Sequence, residues 1–176
     1  MAALFGCAVV TGVGAVINTA QIQPGSTVAI VGLGGVGLSG LMGAVLAGAG
    51  RIVAIDLSDD KLGLARQLGA TDTVNAKDAD HVKQVRDLTN GGVDYAFDLA
   101  GTIKAMETAY LVTRWGGTTV TAGLSPIAAD FSFRSRACWS ARRRPSRAAT
   151  WEAACRCATS RASSRSTSRA SCRSTA

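Results

Sequence analysis

The chain has 176 residues, with 19 Lys and Arg against 12 Asp and Glu, for a net charge of +7. That length allows one domain with a proper core. The charge is unevenly held: residues 1–133 carry 8 basic and 11 acidic side chains, a net of −3, whereas residues 134–176 carry 11 Arg and one acid, Glu152, a net of +10. A mildly acidic body with a strongly basic end is a different object from a basic nucleic-acid-binding domain.

In chain order, "FGCAVVTGVGA" (5–15) comes first and places Cys7 alone in the body. Three readings are open for it: a metal ligand, a lipidation site, or a small apolar residue in a helix. Lipidation lacks its signal, because the first basic residue is Arg51 and no apolar stretch fits before Cys7. The other cysteines, Cys138, Cys155, Cys157 and Cys172, show no zinc-ribbon or zinc-finger spacing. The body is not a small disulfide scaffold, so a reducing, cytoplasmic setting is the default.

"TVAIVG" (27–32) is a β-branched run that ends in glycine, followed by a helical stretch, "LSGLMGAVLAGAG" (38–50). Residues 28–49 are uncharged and long enough to span a bilayer. They lack aromatic or basic anchors and are crowded with glycine, so a soluble strand–turn–helix explains them better. "RIVAID" (51–56) is a second buried strand. "SDDKLGLARQLGA" (58–70) is a helix with a Ser N-cap, acids in its first turn and Gly69 at its end. "DTVN" (72–75) is a short strand, and "ADHVKQVRDLTNGG" (79–92) is an amphipathic helix with His81 on a solvated face. "VDYAFDLAG" (93–101), "KAMETAYLVTRWGG" (104–117) and "TTVTAG" (118–123) read as strand, helix and strand. This alternation predicts an α/β fold, a doubly wound parallel sheet with helices on both faces.

On that scaffold sits "GLGGVG", with Gly32, Gly34 and Gly37 in G-x-G-x-x-G. Alone the pattern is weak. Here it follows a buried strand and opens a helix, and Asp56 ends the next strand nineteen residues after Gly37. Together these predict a Rossmann dinucleotide-binding turn. Gly32 permits the tight turn, Gly34 lets a pyrophosphate approach the backbone, and Gly37 lets helix and strand pack closely. The helix N-terminus presents unpaired N–H groups to the phosphates. Asp56 accepts hydrogen bonds from ribose hydroxyls and repels a 2′-phosphate, which favours NAD over NADP.

These residues, with "GCAVVTGVGAV", "IQPGSTVAIVGLGGVGLS", "RIVAIDLSDDKLGLARQLGAT" and "NGGVDYAFDLAG", resemble the zinc-dependent alcohol dehydrogenases of the medium-chain dehydrogenase/reductase superfamily. The match runs from about Phe5 to Phe133. The resemblance implies an NAD-binding Rossmann domain over residues 1–133. In the family this is joined to an N-terminal catalytic domain that supplies most zinc ligands. Cys7 matches a catalytic-zinc ligand, here an orphan, so the chain is not expected to hold zinc. The resemblance further implies that Thr11 and Val36 line the nicotinamide ring, and that Gly32, Gly34, Gly35 and Gly37 take the pyrophosphate. Asp56 and Lys61 match adenosine-ribose contacts, and Ala100, Ala122 and Leu124 flank the nicotinamide side. Plain core packing for Val36 and a solvated charge for Lys61 remain open. The parent reaction is hydride transfer between a small alcohol or aldehyde and NAD, with zinc polarising the oxygen. With no complete catalytic set, the chain alone is expected to be inactive. A non-catalytic NAD-binding module is the alternative.

Residues 134–176 hold 11 Arg, 10 Ser and 10 Ala, and no Leu, Ile, Val, Gly or Lys. Such a segment cannot bury enough apolar area to offset its ordering entropy, so disorder is expected. The composition fits an out-of-frame reading of a GC-rich gene; an evolved, RNA-binding arginine-rich arm is the rival. No nucleic acid and no membrane are expected as partners. The sheet is expected to lack its last strand and to end in an unpaired edge at "TTVTAG", with the family's dimer interface lost.

Overall fold

A computed structural model describes residues 5–123 and 146–148. Residues 5–20 form one continuous helical segment, α1. It consists of π-helical Phe5–Val9, α-helical Val10–Gly14 and π-helical Ala15–Ala20. Then follow β1 (Thr27–Val31), α2 (Gly35–Leu46), β2 (Arg51–Asp56), α3 (Asp59–Gln67), β3 (Asp72–Asn75) and α4 (His81–Leu88). β4 (Val93–Asp98), α5 (Ile103–Val112), β5 (Thr113–Thr121) and β6 (Ser146–Ala148) complete the described elements. The strands lie in the order β3-β2-β1-β4-β5-β6, and every neighbouring pair is parallel.

Both faces of the sheet are buried, which is why its strands read as continuous apolar runs instead of alternating ones. Val28 and Ile30 of β1 and Ile52 of β2 point to one face, where they meet Val16 of α1 and Leu41 of α2. Ala29, Val31, Val53 and Ile55 point to the other, where they join Val85 of α4 and Ala109 of α5. The uncharged stretch 28–49 is thus divided between β1, a turn and α2, and among the described residues no helix is long and apolar enough to cross a membrane.

α1 crosses α2 at very short range. A Cβ on Gly12 would stand 2.2 Å from the Val36 carbonyl oxygen and 2.7 Å from the Gly40 nitrogen. Only hydrogen fits there, and this crossing explains Gly12 of α1 and Gly40 and Gly43 of α2.

Three expectations change. The helix expected over 104–117 ends at Val112, and β5 starts at once with Thr113. Thr113 is buried and donates its hydroxyl to the Ala109 carbonyl, which closes the helix. The pairing of β4 with β5 then jumps from Val93–Thr113 to Tyr95–Thr118, a bulge whose Gly116 has φ of +80°. Second, β5 does not end the sheet unpaired: β6 lies beside it, with Thr119 opposite Ser146 and Thr121 opposite Ala148. Backbone N–H and C=O groups pair whatever the side chains, so three residues without an apolar pattern can extend an edge. The expected disorder of 134–176 otherwise lies outside the described residues. Third, His81 is half-buried instead of lying on a solvated face. Its ring nitrogens lie 2.7 Å from the Asp78 carbonyl oxygen and 3.1 Å from the Thr108 hydroxyl, tying α4 to α5.

At the N-terminal ends of the strands, Asp72 accepts from the Arg51 Nε at 2.8 Å and from the Thr71 hydroxyl at 2.8 Å. Burial pushes the Asp72 carboxyl up. The Arg51 and Thr71 hydrogen bonds, with the Arg51 and Arg66 charges, outweigh burial and leave it below the usual 3.8. A carboxyl lowered on folding stabilises fully above its unfolded value, and that contribution fades as pH falls through the lowered folded value. Asp72→Asn is therefore expected to lower stability at neutral pH by about 1 kcal/mol or less. The gap between variant and parent should close below pH 3.8 in urea titrations. A gap that widens on acidification would contradict this.

Candidate functional site: the carboxyl ends of the strands

β1 ends at Val31, and the chain then makes the turn that the glycines predicted. Gly32 has φ of +90°, where side chains are strained, and its N–H bonds to the Ile55 carbonyl at 2.8 Å. A Cβ on Gly32 would stand 2.6 Å from the Ala100 Cβ. A Cβ on Gly37 would stand 1.8 Å from the Gly32 carbonyl oxygen, so the first turn of α2 is pressed onto the end of β1. Gly34 is the opposite case: it caps α2 from extended backbone, it is exposed, and nothing lies within 4 Å of its Cβ position. The described atoms thus leave open space in front of Gly34, at a helix N-terminus with unpaired N–H groups.

Asp56 ends β2 beside this turn, and its side chain is 9% exposed. One carboxylate oxygen accepts the Leu33 N–H at 2.6 Å, the other accepts the Ser58 N–H at 3.0 Å, and the Lys61 ammonium stands 3.8 Å away. Ser58 stands at the N-cap of α3 as expected but makes no side-chain cap; it is its N–H, held by Asp56, that fixes the bend. The carboxylate is therefore locked to the glycine turn and faces the same end of the sheet. Lys61 is exposed and lies within reach of Asp56.

Beyond the switch in strand order between β1 and β4, Ala100 follows β4 and Ala122 follows β5. Both lie at the same end of the sheet as Gly32 and Asp56. α1 brings its first residues to this end as well: Ala8 would touch a Cβ on Gly35 at 3.6 Å, and Gly12 meets Val36. Thr11, half-buried, precedes Gly12 at that crossing. Of the sequence-predicted residues, the structure brings together Thr11, Gly32, Gly34, Gly35, Val36, Gly37, Asp56, Lys61, Ala100 and Ala122. Leu124 lies outside the described residues. Cys7 is an exposed free thiol, and among the described residues no group of three or more His, Cys, Asp or Glu side chains comes together. These residues do not fit a catalytic zinc site, which takes three protein ligands.

One residue of this end was missed by sequence reading. Asp98, the last of β4, is fully buried. Its side chain accepts from the Ala100 N–H, the Gly101 N–H and the Thr121 hydroxyl. An acid closing the buried run "AFD" at the end of β4 was the available signal. By contrast, a hollow of about 550 Å³ lined by Thr27, Arg51, Thr71 and Asp72 opens at the opposite, N-terminal ends of the strands. Open α/β sheets bind ligands at the carboxyl ends, so the glycine turn is the stronger candidate despite its openness.

Comparison with known proteins decides the family. The family model described as zinc-binding dehydrogenase matches residues 35–161. The chain belongs to the zinc-binding dehydrogenase family. It is 45% identical over 134 residues to an S-(hydroxymethyl)glutathione dehydrogenase of Synechocystis sp., covering 74% of this chain and 36% of that protein. Among solved structures, an alcohol dehydrogenase zinc-binding domain protein from Burkholderia ambifaria superposes with a TM-score of 0.77 at 34% identity, covering 82% of this chain and 39% of that one. Benzyl alcohol dehydrogenase from Acinetobacter calcoaceticus gives a TM-score of 0.77 at 30% identity, with 82% and 40% covered. This zinc-binding dehydrogenase chain thus spans well under half the length of these relatives, and the family match runs on past Phe133.

Proposed function

We propose that residues 1–133 are the NAD-binding domain of a zinc-dependent alcohol dehydrogenase. The observation that supports this most is the pairing of an open helix N-terminus at Gly34 with a carboxylate tied to the same turn by the Leu33 N–H. The residues present suit a dinucleotide: Gly34 leaves room for a pyrophosphate against backbone N–H groups, and Asp56 offers its carboxylate to ribose hydroxyls. Bound there, NAD supplies a hydride acceptor. The chain's own part is to bind and orient. Gly32, Gly34, Gly35 and Gly37 shape the phosphate cradle, and Asp56 with Lys61 holds the adenosine ribose. Thr11, Val36, Ala100 and Ala122 wall the nicotinamide side. In the whole enzyme the substrate is a small alcohol or aldehyde, and the remaining catalytic groups come from a further domain. Cys7 would be one zinc ligand there, and no step through zinc is assigned to the residues of this chain.

The test is calorimetric titration of the full chain with NAD and with NADP. The Asp56 carboxylate should repel the 2′-phosphate, and NAD is expected to bind at least tenfold more tightly, a difference of about 1.4 kcal/mol. Equal affinities would contradict the assignment of Asp56, and no binding of either would contradict the domain's function.

A further inference from the structure

We infer that Asp98 is a positioning residue that holds the ends of β1, β4 and β5 at one spacing and so sets the grip on the nicotinamide half of the cofactor; this rests on the NAD reading above. Asp98 is wholly buried, and donors from two separate strand ends converge on it. Its Oδ1 accepts the N–H groups of Ala100 and Gly101 at 3.1 and 3.3 Å, which curls the chain after β4. Its Oδ2 accepts the Thr121 hydroxyl at 2.8 Å, which ties in the last residue of β5. Its own carbonyl oxygen accepts the N–H groups of Ala122 at 3.0 Å and Gly123 at 3.3 Å. Side chain and main chain of one residue therefore fix both strand ends.

The contacts around this clamp leave no slack. Leu99 donates its N–H to the Val31 carbonyl at 2.9 Å, so the end of β4 is tied to the end of β1. A Cβ on Gly123 would stand 2.2 Å from the Gly101 Cα, and a Cβ on Gly32 would stand 2.6 Å from the Ala100 Cβ. The turns after β1, β4 and β5 touch one another in a row, Gly32 on Ala100 and Gly101 on Gly123. A shift of the β4 or β5 turn is transmitted along this row because packed backbone cannot compress. The glycine turn and Asp56 sit on β1 and β2 and serve the adenosine and pyrophosphate half. The β4 and β5 ends lie across the switch point and serve the other half of the dinucleotide. Loosening the clamp should therefore cost NAD more than ADP, which reaches only the first half.

The experiment uses the full chain and three variants. Thr121→Val removes one donor and keeps the carboxylate. Asp98→Asn keeps an acceptor for Ala100 and Gly101 and turns an amide toward Thr121. Thr121→Ser keeps the hydroxyl and serves as the rescue. Affinities for NAD and ADP are read by calorimetry, and amide exchange is read over 99–101 and 121–123. The expected result for Thr121→Val and Asp98→Asn is a tenfold loss of NAD affinity with ADP affinity held within twofold. Amide exchange in the two segments should be at least tenfold faster, and Thr121→Ser should behave as the parent. Equal losses for NAD and ADP, or unchanged NAD affinity, would overturn the positioning role while leaving the NAD reading standing. Unchanged amide exchange in both variants would overturn the clamp itself. If the unmutated chain binds neither NAD nor ADP, the NAD reading falls, and the positioning role falls with it.

Discussion

Gly37→Ala is expected to destabilise the chain by about 3 kcal/mol or more and to abolish cofactor binding with it. The added methyl would stand 1.8 Å from the Gly32 carbonyl oxygen and 2.8 Å from its carbonyl carbon. Both are backbone atoms, held by the Gly32 N–H bond to Ile55, so no side chain can swing aside. Either α2 lifts off the sheet or β1 loses its turn. For a domain of this size that loss corresponds to a fall in Tm of about 10 °C. Two neighbouring glycines separate folding from binding. Gly34→Ala meets nothing within 4 Å and needs no positive φ, so its stability cost should stay below about 1 kcal/mol. Its methyl group would project into the space assigned to the pyrophosphate, and NAD affinity is expected to fall at least tenfold. Gly35→Ala makes only an ordinary 3.6 Å contact with Ala8 and should leave Tm near the parent value. Thermal melts and calorimetry on the three variants check this. A stable Gly37→Ala, or a Gly34→Ala that binds NAD normally, would contradict the geometry argued for the turn.

Asp56→Ala is expected to produce the largest loss of binding from a single side chain outside the glycines. Two effects add. The Leu33 and Ser58 N–H groups lose their shared acceptor, which frees the turn and the bend after β2. The adenosine ribose would also lose the partner proposed for it. An unpaired, partly buried donor costs about 1–3 kcal/mol, so NAD affinity should fall by tenfold or more. Asp56→Asn separates the two effects. The amide oxygen can still accept the Leu33 N–H, so the turn survives, but the negative charge is gone. Its stability should therefore stay closer to the parent than that of Asp56→Ala. Its preference for NAD over NADP should narrow to within about threefold, because the repulsion of a 2′-phosphate is electrostatic. An Asp56→Asn chain that kept the full preference would place the discrimination elsewhere. Lys61→Ala should change stability little by comparison, since an exposed ammonium 3.8 Å from its partner contributes about 0.5 kcal/mol at most.

Much of the fold was legible in the residues alone, and for a physical reason. Strands buried on both faces must be apolar throughout, so "TVAIVG" and "RIVAID" announced β1 and β2, the latter to the residue. The glycine turn was equally legible, because no other residue type tolerates contacts of 1.8–2.6 Å at its Cβ. Asp56 followed from its spacing after that turn. Tertiary structure decided what no local pattern carries. "TRWGG" reads as the end of a helix, yet Thr113 begins a strand because its hydroxyl finds Ala109 and Thr119 inside the fold. Ser146–Ala148 has no strand signature, and only the open edge of β5 makes it one. The close crossing of α1 on α2 explains Gly12 and Gly40, which are far apart in the chain and carry no joint signal. Asp98 is the clearest case. As a letter it is one acid at a strand end. Its role comes from donors on Ala100, Gly101 and Thr121, up to 23 residues away, which meet only when β4 and β5 lie side by side. Sequence by itself determined which segments must be buried and where a side chain cannot exist. Only the packed sheet decided which buried polar atoms meet, because a hydrogen bond depends on distance in space and direction, and neither is encoded in the order of neighbours.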